Sequence, residues 1–185
     1  MKPLAAHIWN REEHEHYVEP EWCSQRLFQV EPFVQEIWDP ACGFGRICES
    51  ARAAGHAVHG TDIMHRGYYA QTATCDFLSS SERWTNIVTN PPFDLFAGFV
   101  RHALQLARGK VAMIWLVRRL PAARWLKETP LQRIWWLTPR PSMPPGHTIT
   151  AGEKPGGGTQ DFCWLVWEQG RPYVGATDWL HRDNS

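Results

Sequence analysis

The chain has 185 residues, 43 % of them apolar, a length and composition that suit one globular domain with its own core. No apolar leader stands out in MKPLAAHIWNREEHEHY, the apolar run Val111–Val117 is too short to span a bilayer, and five cysteines without a C-x-x-C pair exclude a disulfide framework or zinc knuckle, which points to a reducing, cytoplasmic setting. Charge is balanced overall, 19 basic against 19 acidic groups, yet residues 101–140 hold nine basic groups against one acid, Glu128.

A polar, proline-marked segment opens the chain and runs to about Pro32, residues 1–16 being its polar start. Within it EEHEHY has a metal-binding look, with His14 and His16 one residue apart. No third or fourth ligand stands at a sensible spacing, so a solvated polar segment is the simpler reading. EIWDPACGFG reads as a buried strand ending in a tight glycine turn, and RICESARAAGH has helical spacing closed by Gly55. AVHGTDI is a second strand, TATCDFL a short third, and NIVTNPPF a fourth followed by a helix in DLFAGFVRHALQLARG. KVAMIWLV predicts a fifth strand buried on both faces, RRLPAARWLKETP a loop or short helix, and RIWWLTP a return to the sheet. The proline- and glycine-rich stretch from Pro139 to Thr159 predicts a long mobile loop, DFCWLVWEQG a last strand, and 176–185 a tail. Strands alternating with helices argue for a doubly wound, mostly parallel α/β sheet within one domain over 1–175. With only a loop between the last two strands, a closing hairpin and one antiparallel strand near the C-terminus follow.

The residues with chemistry fall at the predicted strand ends. In DPACGFG (Asp39–Gly45) the glycines let backbone approach a ligand, and Asp39 can accept hydrogen bonds at the strand tip. Asp62 in GTDI stands where an acid takes ribose hydroxyls, and Asp76 in CDF can accept from an adenine amino group with Phe77 beside the ring. Each alone is unremarkable; three in order, followed by TNPPFD, are not. Asn90 and Pro91 each precede a proline and are held extended, which fixes an amide and backbone carbonyls at the end of the fourth strand. The basic segment alternates with Trp115, Trp125, Trp135 and Trp136, a pattern suited to nucleic acid, the plainer reading being a solvated face plus core tryptophans.

DPACGFG, TDI, CDF and TNPPF, in that order on successive strands, resemble the class I S-adenosylmethionine-dependent methyltransferases. More narrowly they resemble the phage- and prophage-type DNA adenine amino-methyltransferases, whose hallmark is [D/N/S]-P-P-[Y/F/W]. YVEPEW (Tyr17–Trp22) is similar to their cofactor-side motif, and GGGT with FCWLVWEQG to the short phage members. The resemblance implies a seven-stranded Rossmann-like sheet. It also implies S-adenosyl-L-methionine held by Tyr17, Asp39, Pro40, Ala41, Gly43, Phe44, Gly45, Asp62, Ile63, Asp76, Phe77 and Asn90. Asn90, Pro91, Pro92 and Phe93 become the catalytic set: the Asn90 side-chain oxygen and Pro91 carbonyl accept the target amine, and Phe93 stacks on its ring. The implied substrate is adenine in DNA, with an amino group in RNA, a protein glutamine amide, or a non-catalytic nucleic-acid-binding role as alternatives.

Arg118, Arg119, Arg124, Lys127 and Arg140, within substrate-side loops over 118–160, are the expected nucleic-acid contacts; no metal or membrane is expected, and monomer or homodimer is open. The chain also departs from the pattern. Asn90 replaces the commoner Asp and cannot take a proton, and Glu19 stands where relatives often carry a small hydroxyl residue. No room remains for a large target-recognition domain, so short or relaxed sequence specificity is expected. GGGT (Gly156–Thr159) reads as a loop hinge or a phosphate cradle.

Overall fold

The computed structural model of the protein describes residues 16–152 and 156–183. Eight strands make one sheet: β1 (Ile37–Asp39), β2 (Val58–Asp62), β3 (Ala73–Thr74), β4 (Asn86–Thr89), β5 (Lys110–Leu116), β6 (Leu131–Thr138), β7 (Phe162–Glu168) and β8 (Ala176–His181). Their spatial order is β3-β2-β1-β4-β5-β7-β6-β8. All pairings are parallel except those of β7, which runs antiparallel to β5 and β6. The sheet is therefore α/β and mostly parallel with one antiparallel strand, as the alternation predicts, though eight-stranded where seven are expected.

Among the described residues four α-helices accompany it: α1 (Glu21–Val30), α2 (Arg46–Ala53), α3 (Phe96–Leu106) and α4 (Gly146–Thr150). The chain steps outward from β1 to β2 through α2, and in the opposite sense from β4 to β5 through α3. Right-handed crossovers then place α2 and α3 on opposite faces of the sheet. Covered strands need no polar face, and β4 is buried throughout, as is β5 after Lys110. On α3, Phe96, Phe99, Val100, Ala103 and Leu106 recur at helical spacing and form the buried stripe. The Phe96 ring lies flat on Trp115 with centroids 4.0 Å apart.

The sequence conceals two elements. Helix α1 lies inside the segment read as polar, because its buried stripe includes Ser24 beside Cys23 and Leu27. Ser24 is tolerated there because its hydroxyl meets that of Ser50 on α2 at 2.8 Å. Residues 176–181, read as tail, form β8, which pairs in parallel with β6 from Arg133↔Ala176 to Thr138↔His181. Only Leu180 of β8 is buried, too faint a signal for period-two reading.

The stretch from 139 to 160, of which 153–155 lie outside the described residues, holds some regular structure. It contains α4, and its backbone pairs with the N-terminal side of the molecule: Val18 N–H donates to the Pro144 carbonyl and Gly146 N–H to the His16 carbonyl, both at 2.9 Å. At its far end a Cβ on Gly158 would stand 2.6 Å from the Arg140 carbonyl oxygen, so close backbone approach explains that glycine. No helix among the described residues is long and apolar enough to cross a membrane.

Candidate functional site

Strand order reverses between β1 and β4, and in a doubly wound sheet the crevice beyond the carboxyl ends of such strands is where ligands bind. A cavity of about 280 Å³ lies there. Asp39 closes β1, Asp62 closes β2 and Asn90 follows β4, and all three line the cavity together with Tyr17 and Glu19. Pro40, Ala41, Gly43, Phe44, Ile63, Asp76, Phe77 and Pro92 line it too. Gly45, at φ +81° as the N-cap of α2, turns the chain into the helix; a Cβ there would also overlap the Tyr68 ring.

Asn90 is the best-defined side chain of the site. Its Nδ2 donates to the Tyr17 carbonyl and to Glu19 Oε2, each at 2.8 Å. Two acceptors at one position require the nitrogen there, which fixes the amide's orientation. Among the described residues no donor reaches Oδ1. The amide thus keeps its acceptor for whatever enters.

Electrostatically the cavity is acidic. Burial pushes the Asp39 carboxyl up to about 8, and the neighbouring Glu19 and Asp62 charges push the same way. Burial likewise raises Glu19, opposed by its own backbone N–H, the Asn90 amide and Arg46. Asp62 is already engaged: Oδ2 accepts from Gly43 N–H at 3.0 Å, and Oδ1 faces Met64 N–H and Arg66 Nε, each at 3.3 Å. Asp76 caps the turn after it, accepting from Leu78 N–H at 3.0 Å and the Ser79 hydroxyl at 2.9 Å.

The aromatic expectations fare differently. Phe77 is 2 % exposed, with its ring against Trp38, Phe99 and His102; the neighbour that reaches solvent at the mouth is Leu78. Ile63 and Leu95 are exposed beside it, giving the cavity an apolar rim. Phe93 is 7 % exposed and lies parallel to Tyr17, with centroids 5.9 Å apart, so its ring already has an aromatic neighbour. Pro91 is buried, and neither Pro91 nor Phe93 is part of the cavity lining.

The basic segment divides as well. Arg118, Arg124 and Lys127 are exposed on the two 3-10 turns after β5, at the same end of the sheet as Asn90. Arg119 instead donates to the Phe93 carbonyl at 2.7 Å and pairs with Asp94 at 2.9 Å. Arg140 grips Asp161 through Nε at 2.6 Å and Nη2 at 3.1 Å, closing the base of the 139–160 loop. Of the interleaved tryptophans, Trp115 and Trp135 are core residues, the second donating to Glu31 at 2.9 Å. Trp125 packs against Phe96 and under Arg101. Trp115 and Trp135 thus belong to the fold and offer no face to a base, whereas Trp125 and Trp136 are half-buried against the same core.

Sequence reasoning missed the joint part played by Tyr17 and Glu19 in holding Asn90. The contact crosses more than 70 positions, and no local pattern announces it. Among the described residues no group of three or more His, Cys, Asp or Glu could hold a metal ion; His14 lies outside the described residues.

No protein-family model matches the chain, and no curated protein matches its sequence. Solved structures do match. An Agrobacterium tumefaciens protein described as a predicted O-methyltransferase superposes with TM-score 0.56 at 13 % identity, over 87 % of this chain and 85 % of that one. A Pyrococcus horikoshii protein whose proposed activity is RNA methylation gives 0.56 at 14 % identity, over 80 % and 81 %. A TehB-like S-adenosylmethionine-dependent methyltransferase of Corynebacterium glutamicum gives 0.51 at 18 % identity, over 79 % and 86 %. The chain has the Rossmann-like fold of the class I methyltransferases. At such identities the likeness speaks for the fold alone.

Proposed function

We propose that the protein is an S-adenosylmethionine-dependent methyltransferase acting on the exocyclic amino group of adenine in DNA. The observation that carries this reading is the Asn90 amide, clamped through both Nδ2 protons in an acidic crevice so that no donor among the described residues occupies Oδ1.

The residues present fit the cofactor. Asp39 is a buried carboxyl with no paired cation among the described residues, an environment that a positively charged ligand relieves. The glycine turn allows close approach, Asp62 and Asp76 stand at successive strand ends for hydroxyl and amino groups, and Ile63, Leu78 and Leu95 offer apolar contact to a flat ring. When bound, S-adenosylmethionine supplies an electrophilic methyl group.

The chain's own part is to prepare the acceptor nitrogen. An exocyclic amine conjugated with its ring is a poor nucleophile. With Asn90 Oδ1 and the Pro91 carbonyl accepting its two N–H groups, the nitrogen is drawn towards tetrahedral geometry and its lone pair is aimed at the cofactor. Each gain of about 1.4 kcal/mol in the transition state is about tenfold in rate, so two preorganised acceptors matter. Asn90 cannot take the proton, which leaves to solvent. To reach this position the base must quit the duplex, and stacking on Phe93 requires Tyr17 to shift from its parallel ring. Arg118, Arg124 and Lys127 supply the positive surface that follows the phosphate backbone.

The same acceptors would serve any conjugated amine, so an RNA amino group is the second reading and a glutamine amide the third. The open acceptor on Asn90 speaks against a non-catalytic relative. The experiment is transfer of labelled methyl from S-adenosylmethionine to duplex DNA, with RNA and mixed cellular protein in parallel and Asn90→Ala as the blank. Label in DNA that disappears in the variant, recovered as a methylated adenine after digestion, supports the proposal. Label confined to RNA or protein moves the substrate class, and no label in any of them overturns the reading.

A further inference from the structure

The Asn90 amide has two holders of different kinds. The Tyr17 carbonyl belongs to the backbone and is present whatever the side chain. Glu19 is a carboxylate that is 6 % exposed, inside a crevice already crowded with acids, at a place where burial opposes its charge. Such a group is costly to keep unless it has work to do. The groups around it come from every wall: Asn90 after β4, Arg46 on α2, Asp39 on β1, and Cys23 on α1. Arg46 also grips the Glu19 backbone carbonyl at 2.7 Å, which anchors the residue from below.

We infer that Glu19 is a positioning residue: its carboxylate holds the Asn90 amide with Oδ1 towards the substrate nitrogen and prevents the half-turn that would present Nδ2 instead. The inference deepens the reading above and rests on it for its catalytic meaning. With the amide reversed, a donor would face the donor N–H groups of the target amine, and the acceptor pair would be lost. Tyr17 alone supplies one acceptor for two Nδ2 protons and leaves the second free to pull the amide round. Glu19 removes that freedom. Because it touches Asn90 and not the reacting atoms, its loss should appear in the transfer step more than in cofactor affinity.

The first test needs no turnover. In a 15N-labelled sample the Asn90 side-chain amide pair is identified as the one absent in Asn90→Ala. Wild-type protein should show both protons exchanging with water at least about tenfold more slowly than an exposed asparagine amide, since each is hydrogen-bonded at a half-buried site. In Glu19→Ala one proton should lose that protection, while in Glu19→Gln, whose side-chain oxygen can still accept, it should be kept. A wild-type pair that exchanges freely, or a protected pair indifferent to Glu19→Ala, overturns the inference.

The second test uses methyl transfer with the acceptor found above. Glu19→Ala should lower kcat about 10- to 100-fold with cofactor Kd changed less than about threefold, and Glu19→Gln should recover to within about tenfold of wild type. In the Asn90→Ala background Glu19→Ala should cost nothing more. A loss that lies wholly in cofactor Kd, or one that Glu19→Gln fails to restore, contradicts a positioning role. If wild-type protein transfers methyl to no acceptor, the functional reading fails alone, because the amide exchange decides the geometry without it.

Discussion

Asp39 shows what a single buried carboxyl does to a molecule. Its folded pKa of about 8 stands well above the ordinary 3.8, burial being the first cause. Between those values the folded chain holds a proton that the unfolded chain has released, so this residue's contribution to stability falls as pH rises through that window. At about 1.4 kcal/mol per unit the effect has a ceiling of about 6 kcal/mol, and Asp39→Asn should flatten the stability-versus-pH curve between pH 4 and 8, read by denaturant titration at several pH values. A cationic ligand favours the ionised form, so cofactor binding near pH 6.5 should release about one proton and tighten towards pH 8. Calorimetry in two buffers of different ionisation enthalpy reads that proton, and Asp39→Asn should abolish it; equal heats in both buffers would sink the idea. Asp39, Asp62 and Asn90 were legible from sequence because each ends a strand and sits in a short motif. Glu19 was visible only as a departure from pattern, since its role depends on a contact with a residue 71 positions away.

At the scale of elements, the connector between β5 and β6 has two duties that its composition merges. Arg119 is tied to the loop after Asn90 through the Phe93 carbonyl and Asp94, whereas Arg124 and Lys127 face solvent. If the substrate is DNA as proposed, Arg124→Ala and Lys127→Ala should weaken its binding and each reduce the slope of log affinity against log salt by about one. Arg119→Ala should lower kcat about tenfold and leave that slope within about half a unit of wild type. Binding titrations at three salt concentrations, with kcat measured alongside, separate the two duties; equal slopes for all three variants would refute the division. The nine-to-one charge excess was plain in the sequence, but which cations are spent inside the protein was not. Helix α1 was equally hidden, because a hydrogen-bonded serine interrupts its apolar stripe.

For the molecule as a whole, the alternation of strands and helices foretold a sheet with one reversed strand. It could not foretell β8, which contributes one inward side chain, Leu180, 1 % exposed and joined to the main core beside Leu137. Leu180→Ala should cost about 2–4 kcal/mol in chemical denaturation, the range for emptying a buried leucine site. A cost under about 0.5 kcal/mol, the level of an ordinary surface substitution, would return the last residues to the status of a tail. Helix α1 also reaches that edge, where Arg26 donates to the His181 carbonyl at 2.8 Å. The N-terminal helix thus braces the sheet's outermost strand as well as its centre.

The pairing of His16–Val18 with Pro144–Gly146 bears on how parts of the molecule are coupled. The His16 imidazole fills the space where Gly43 and Gly146 lack side chains, so one wedge touches both the glycine turn and the far loop. Tyr17, next in the chain, carries the carbonyl that steadies Asn90. A stretch of three residues therefore touches at once the glycine turn, the 139–160 loop and the Asn90 amide. A displacement of the loop reaches the other two through shared backbone, with no messenger in between. The glycine turn, the far loop and the Asn90 amide thus share one anchor, His16–Val18, so a change at any of the three is felt at the other two.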